Sequence, residues 1–372
     1  MEILISFIIP FIILLTIVVF IHEYGHYYFA KKYGVGVTDF SIGFGKEIFG
    51  FNDKSGTRWK FCAIPLGGYV KFFGDRNVFS QAEQEELLKE YNEEDRKKFF
   101  VVKPLYQRSL IVAAGPFANF LLAIVIFAFI YMFAGKDFTP AQIQEVQSES
   151  PAYVAGIKSG DVIQSINDRE VKSIMEVSTF INASSSESID IQVLRNGNKL
   201  SLKVKPKFIE GKDTLGNQIN KKIIGIKVAP LNEEINRQRL GPATALYYAV
   251  KETWFVIEAS WEFVISMFKG TGDTSQLGGP IKIAKITGQV AKFGVVAFLS
   301  IMAYISISLG FINLFPIPML DGGHLMFYAF EKILGRPLTQ RTQEGFFRIG
   351  LFLLLSLMFF TTFNDLKDLG LF

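Results

Sequence analysis

Phe20-Ile21-His22-Glu23-Tyr24-Gly25-His26 stands near the end of an apolar run that begins at Ile3 and continues to Phe29. About 20 apolar residues suffice for a helix to cross a hydrocarbon core roughly 30 Å thick. Two imidazoles and a carboxylate therefore stand within a membrane span or at its inner end. Ionisable groups there are costly unless paired, ligated or facing water, so such a cluster reads by default as a functional site. On a helix, residues four apart share a face: both imidazoles can reach one metal ion, while Glu23 is aimed at a water on that metal. An interhelical polar contact, or an interfacial cluster just past the membrane, is the plainer alternative. A signal peptide fits poorly, since no basic residue precedes the run and no small-residue cleavage site follows it.

The rest of the chain supports a membrane protein. Its 372 residues are 49% hydrophobic and 20% charged, with a mean hydropathy of +0.28, which argues against disorder and against an ordinary soluble enzyme. The net charge of +4, without a basic run interleaved with aromatics, gives no ground for a nucleic-acid partner. Cys62 is the single cysteine, so no intramolecular disulfide forms. Three further apolar runs, Leu110 to Phe133, Val295 to about Pro316, and Phe346 to Phe363, complete a set of four spans. Lys31, Lys32, Lys103 and Arg108 flank the first connecting segment, and Lys332, Arg336, Arg341 and Arg348 lie between or beside the last two spans. Both connections read as cytoplasmic, and the termini and Ala134 to Gly294 as outer.

The expected fold is a polytopic α-helical membrane protein with four transmembrane helices, a membrane-associated β-hairpin, and one β-rich, PDZ-like domain between the second and third spans. The first helix covers 1–30. A cytoplasmic segment, 31–108, holds the hairpin (Asp39 to Gly74, with its turn at Asn52 to Gly56) and a charged, helix-like stretch from Gln81 to Lys98. The second helix covers 109–133 and the outer module 134–208. In the module, Ile189, Ile191 and Val193, then Leu200, Leu202 and Val204, alternate with mostly polar neighbours about Asn196-Gly197, a strong hairpin signal. PAYVAGIKSGDVIQSIN (151–167), with a helix at about Ser173 to Ala183, resembles a PDZ domain, whose groove accepts an added peptide strand. A linker with an amphipathic helix occupies 209–294. Its Trp254, Phe255 and Trp261, within Pro242 to Phe268, suit either the membrane interface or the face of the module. The third helix, 295–318, leads into Leu320-Asp321-Gly322-Gly323. A cytoplasmic loop covers 319–344 and the fourth helix 345–364.

Catalytic zinc takes three protein ligands and leaves one position open. A third histidine in the extended HExxHxxGxxH pattern is missing, because Phe29 and Lys32 occupy the glycine and histidine positions. The third ligand is then a carboxylate or His324. Glu47 is one option. Asp321 is the better one, since Pro316 and Pro318 break the third span and allow irregular backbone near the membrane.

HEYGH in the first span, the GFG hairpin, the PDZ-like insert, GGPIKIAKITG (278–288) and NLFPIPMLDGGHL (313–325) together resemble the site-2 protease family of intramembrane zinc metalloproteases. Within it, the chain is similar to the bacterial regulator-of-sigma-E protease group. The resemblance implies one Zn2+ per chain on His22, His26 and Asp321, with Glu23 catalytic and His324 not a ligand. It implies substrate-binding roles for Asn313 and for the hairpin at Gly43, Phe44 and Gly45. It further implies cleavage within the lipid bilayer of single-span membrane proteins, such as anti-sigma factors, already trimmed by an upstream site-1-type protease, or of remnant signal peptides. This is regulated intramembrane proteolysis in the bacterial inner membrane, with the PDZ-like domain periplasmic and the active site towards the cytoplasm. The best-known members of the group carry two tandem PDZ domains and this chain one, which puts a two-domain size filter in doubt. The reading from another class is a non-proteolytic, zinc-containing PDZ scaffold, although structural zinc normally takes four protein ligands.

Overall fold

The computed structural model describes residues 4–74, 91–184, 186–212, 218–231, 234–270 and 277–368. Among them, four helices are long and apolar enough to cross a membrane: Ser6–Lys32, Leu105–Phe133, Val295–Asn313 and Gln340–Lys367. These are the four expected spans. A helix pairs its own backbone polar groups, the requirement that hydrocarbon imposes on a spanning segment.

In chain order the helices are α1 (Ile9–Lys32), α2 (Leu105–Phe133), α3 (Ile174–Ala183), α4 (Pro242–Phe268), α5 (Pro280–Ala291), α6 (Val295–Asn313), α7 (Asp321–Leu334) and α8 (Gln340–Asp368). The strands used below are β1 (Val37–Asn52), β2 (Arg58–Phe72), β3 (Ala141–Val146), β4 (Val162–Ile166), β5 (Ile189–Arg195), β6 (Asn198–Val204), β7 (Lys207–Lys212), β8 (Gln218–Ile223) and β9 (Ile226–Pro230). The chain divides into two compact units, residues 1–126 with 279–363 and residues 127–278 with 364–372.

In the first unit, small residues let the helices approach closely, as membrane bundles require. A Cβ on Gly25 of α1 would stand 2.4 Å from the Ala114 carbonyl oxygen of α2, and one on Gly310 of α6 would stand 2.8 Å from the Pro116 carbonyl oxygen. The Ser306 hydroxyl of α6 donates to the Asn119 carbonyl oxygen at 2.8 Å. A cluster of Ala30, Val35, Val37, Phe100, Ile111, Val112 and Tyr328 joins α1, β1, α2 and α7.

The hairpin is more folded than two simple strands. Left-handed glycines bend β1 at Gly43 and Gly45 (φ +87° and +85°), and Gly67 (φ +125°) bends β2. Residues 39–42 therefore lie beside 58–61 on one side and 68–71 on the other, while 47–52 lie beside 58–62. The strip 68–72 stands at one margin. The distal half presents Ile48 (74% exposed) and Phe49 (60%), together with Phe51, Phe61 and Ile64.

In the second unit, a sheet in the order β9-β3-β4-β5-β6, with Arg169–Glu170 beside β4, encloses Ile143, Ile163, Ile166, Ile189, Ile191, Val193 and Val204. The expected module boundary at 208 is too early. β9 pairs with β3 along Ile226–Pro230, so the sheet closes only at Pro230, by a pairing about 80 residues apart in sequence. The expected linker thus contains β7, β8 and β9 as well as α4. Phe255 of α4 packs on Phe180 of α3 with centroids 5.1 Å apart, and Arg169 pairs with Glu258 and Glu262 at 3.1 and 2.9 Å.

Two further expectations need correction or limits. The segment 319–344, expected as a loop, carries the 14-residue α7, which the buried Phe327 and Tyr328 hold in place. Of the charged stretch from Gln81 to Lys98, residues 81–90 lie outside the described residues. Its end forms one turn, Glu93–Arg96, capped by the Asn92 side chain.

Candidate metal centre

Helical spacing in α1 puts His22 and His26 on one face, and their Nε2 atoms stand 3.3 Å apart. Asp321, the first residue of α7, completes the group, with Oδ2 at 3.2 Å from His22 Nε2 and Oδ1 at 3.5 Å from His26 Nε2. These are the His, Cys, Asp or Glu residues whose ligand atoms gather closely enough for one metal among the described residues.

Asp321 reaches the site through a backbone that tolerates no side chains around it. Met319 takes a left-handed φ of +92°, a strained value for a non-glycine residue. A Cβ on Gly322 would lie 2.2 Å from the Phe315 carbonyl oxygen, one on Gly323 would lie 2.4 Å from that of Ile317, and one on Gly350 of α8 would lie 2.1 Å from that of Pro318. The two glycines after Asp321 let α7 start hard against the turn, and Gly350 lets α8 close over it. Arg108 of α2 pairs with Glu331 of α7 at 2.5 Å and lies over the Tyr328 ring, tying the far half of α7 to α2.

One face of α2 supports the histidines. The Ile111 carbonyl oxygen accepts from His26 Nδ1 at 2.9 Å, and the Asn119 amide nitrogen lies 3.2 Å from His22 Nδ1. Gly115 lies between them, where a Cβ would stand 2.2 Å from His26 Nε2.

Glu23 faces the hairpin margin. Val70 offers it a backbone hydrogen bond, and a Cβ on Gly68 would come within 3.0 Å of its Cγ. The hairpin is moored to α1 by Asp53, which accepts from Tyr27 Oη at 2.9 Å, Trp59 Nε1 at 3.1 Å, and Ser55 and Thr57. Burial pushes the Asp53 carboxyl up, but these donors outweigh it and hold the group well below the usual carboxylate range.

The other sequence-derived residues fall elsewhere. Glu47 is held by Arg58 at 2.5 Å. His324 lies among the rings of Phe327 and Phe347, outside the donor group. Asn313 closes α6 at the start of the turn to Asp321. Gly43, Phe44 and Gly45 form the β1 bend, where Phe44 stacks on Tyr69 at 6.2 Å. The strip that meets Glu23 includes Gly68 and Val70. Reading the sequence missed Gly68, Val70 and Asn119; the last left a signal, an amide within an otherwise apolar span.

The donor set suits zinc. Ligands about 2.0–2.1 Å from a tetrahedral metal lie about 3.3 Å from one another, close to the 3.3 Å between the two Nε2 atoms and the 3.2 Å from His22 Nε2 to Asp321 Oδ2. Asp321 Oδ2 is buried and, apart from its approach to His22, accepts no hydrogen bond among the described residues, as befits an atom reserved for a cation.

Comparison with known proteins agrees with this chemistry. The model of peptidase family M50, the family of the site-2 proteases, matches residues 10–357. This chain belongs to peptidase family M50. A relative from Mesorhizobium japonicum, named as a candidate zinc metalloprotease, is 41% identical over 96% of this chain and 98% of its own length. One of the same description from Agrobacterium fabrum is 40% identical over 98% and 96%. Metalloprotease MmpA of Caulobacter vibrioides is 35% identical over 96% and 94%. The chain is accordingly a multi-pass membrane protein and a zinc metalloprotease.

Proposed function

We propose that His22, His26 and Asp321 hold the zinc, that Glu23 is the general acid-base, and that the bond cut lies in a substrate's transmembrane segment. The observation carrying this reading is the convergence of His22 and His26 of α1 and Asp321 of α7, whose ligand atoms lie within 4.8 Å of one another, beside Glu23. When bound, zinc acidifies a water towards a pKa of ~7 and polarises the scissile carbonyl. Glu23 takes a proton from the attacking water and returns it to the leaving amine. The Val70 backbone hydrogen bond orients its carboxylate for both transfers.

A substrate helix has no free backbone groups at the bond to be cut, so it must unwind locally. The hairpin margin at 68–72, passing Glu23, takes up the released hydrogen bonds by strand addition. The Gly43-Phe44-Gly45 bend supports that margin through the Phe44–Tyr69 stack, and Asn313 holds the substrate backbone. The exposed Ile48, Phe49 and Phe51 embed the distal hairpin in lipid.

The family resemblance supports the finer reading: pre-trimmed single-span proteins such as anti-sigma factors, or remnant signal peptides, cut in the inner membrane after a site-1-type protease. The PDZ-like module lies on the periplasmic side and excludes substrates with bulky outer domains. The test compares the native chain with Glu23→Gln for zinc content and for cleavage of a transmembrane peptide. Zinc should stay bound while turnover falls by roughly 10²–10⁴-fold, the usual share of a general base. Full turnover in Glu23→Gln would sink the assignment.

A further inference from the structure

We infer that Asn119 is a positioning residue for the metal centre, one that fixes the tautomer of His22 so that its Nε2 lone pair faces the ion. The inference rests on the zinc assignment proposed above and assigns a role to a residue outside the ligand set.

Both ligand histidines take their Nδ1 partners from one face of α2, at positions 111 and 119, with Gly115 leaving room between them. The partner of His26 is a backbone carbonyl, which only accepts. It holds the ring proton on Nδ1 and leaves Nε2 free to ligate. The partner of His22 is an amide, which can present either end.

With Nδ2 towards the ring, Asn119 donates to Nδ1, the ring proton is driven to Nε2, and that nitrogen cannot bind a metal. With Oδ1 towards the ring, the amide accepts from Nδ1–H, and His22 becomes equivalent to His26. Among the described residues, no hydrogen-bond partner of Asn119 Oδ1 selects between the two orientations. Asn119 is fully buried, and its Oδ1 has no hydrogen-bond partner, so the end turned away from His22 is uncommitted. The backbone, by contrast, is held from behind, by Ser306 Oγ on the Asn119 carbonyl oxygen and by Gly310 packed 3.3 Å from Asn119 Cβ at its own would-be Cβ. The side chain is therefore kept at His22, and turning its amide over exchanges two ends of nearly equal size at no cost in other hydrogen bonds among the described residues. Zinc binding and the Oδ1-inward orientation stabilise each other.

The experiment measures zinc affinity of the full-length, detergent-solubilised chain by competition with a chromophoric chelator, with helical circular dichroism confirming the fold. Asn119→Leu keeps the bulk and removes the acceptor. It should weaken zinc binding by about 10–100-fold, the usual effect of losing a partner behind a ligand histidine. Asn119→Asp, which only accepts, should bind zinc within a few-fold of native. Asn119→Thr, whose hydroxyl accepts without added charge, takes its place if the aspartate chain does not fold. Native-like affinity in Asn119→Leu, or equal losses in the leucine variant and the acceptor variant, would overturn the inference. A native chain that holds no zinc would instead overturn the metal-centre assignment beneath it.

Discussion

Gly25 lies between His22 and His26, the proposed zinc ligands of α1, and Gly25→Ala tests whether the α1–α2 contact sets the metal site. The added Cβ would stand 2.4 Å from the Ala114 carbonyl oxygen, 2.8 Å from its carbon and 2.9 Å from the Ala118 Cβ. Two of the three neighbours are backbone atoms, so no flexible side chain can yield. Ordinary contact requires the helices to part by about 1 Å. Gly25 shares a turn with His26, whose Nδ1 donates to the Ile111 carbonyl at 2.9 Å, and a retreat of that size carries the pair beyond hydrogen-bonding distance. Overpacking of this kind costs about 1–3 kcal/mol of stability. Losing the orienting bond costs about 10–100-fold in zinc affinity, equivalent to about 1.4–2.7 kcal/mol. The assay is chelator competition on the full chain, with Gly345→Ala as control. A Cβ at Gly345 meets nothing, and alanine there should stabilise α8 by roughly 0.5–1 kcal/mol without touching zinc. A folded Gly25→Ala chain with zinc affinity within twofold of native would refute the reasoning.

Arg108→Met should leave the largely buried Glu331 without its partner, destabilising the first unit by about 3–5 kcal/mol and speeding amide exchange in α7. The double change Arg108→Met with Glu331→Met should recover most of that loss, and equal damage from both chains would argue against the ion pair. In the β-rich module, burial of Asp161 (1% exposed) pushes its carboxyl up. A bidentate bond from Arg195, at 2.7 Å to each oxygen, outweighs burial and holds the group below its ordinary value. The folded state thus binds this proton more weakly than the unfolded state. The stabilisation is present above about pH 4 and lost as pH falls through the depressed value. Arg195→Met should therefore speed exchange in β4 and β5 at neutral pH, with the gap from native narrowing below about pH 4. A gap independent of pH would contradict the linkage.

The four spans and the HExxH face were legible in the sequence because each depends on near neighbours alone. A hydrophobic run long enough to cross the bilayer must pair its own backbone, and a spacing of four returns a side chain to the same helical face. Asp321 was legible as a candidate through the prolines and glycines around it, although Glu47 and His324 stayed open until the fold paired the one with Arg58 and set the other among phenylalanine rings. The end of the β-rich module at Pro230 was not legible, since β9 reads as part of a linker until β3 stands beside it. The same holds for the folded-back hairpin, in which isolated glycines choose the bend while strips distant in sequence choose their partners.

By itself, then, the sequence determined a membrane-spanning metal chemistry: apolar length and 3.6-residue periodicity are local properties, carried wherever the segment goes. Only the tertiary structure decided which carboxylate joins the histidines, which strip meets Glu23, and that α2 supplies both Nδ1 partners. Those choices depend on approaches within hydrogen-bond or van der Waals distance between residues up to about 300 positions apart, set by glycines whose missing side chains mean nothing until a second helix stands against them.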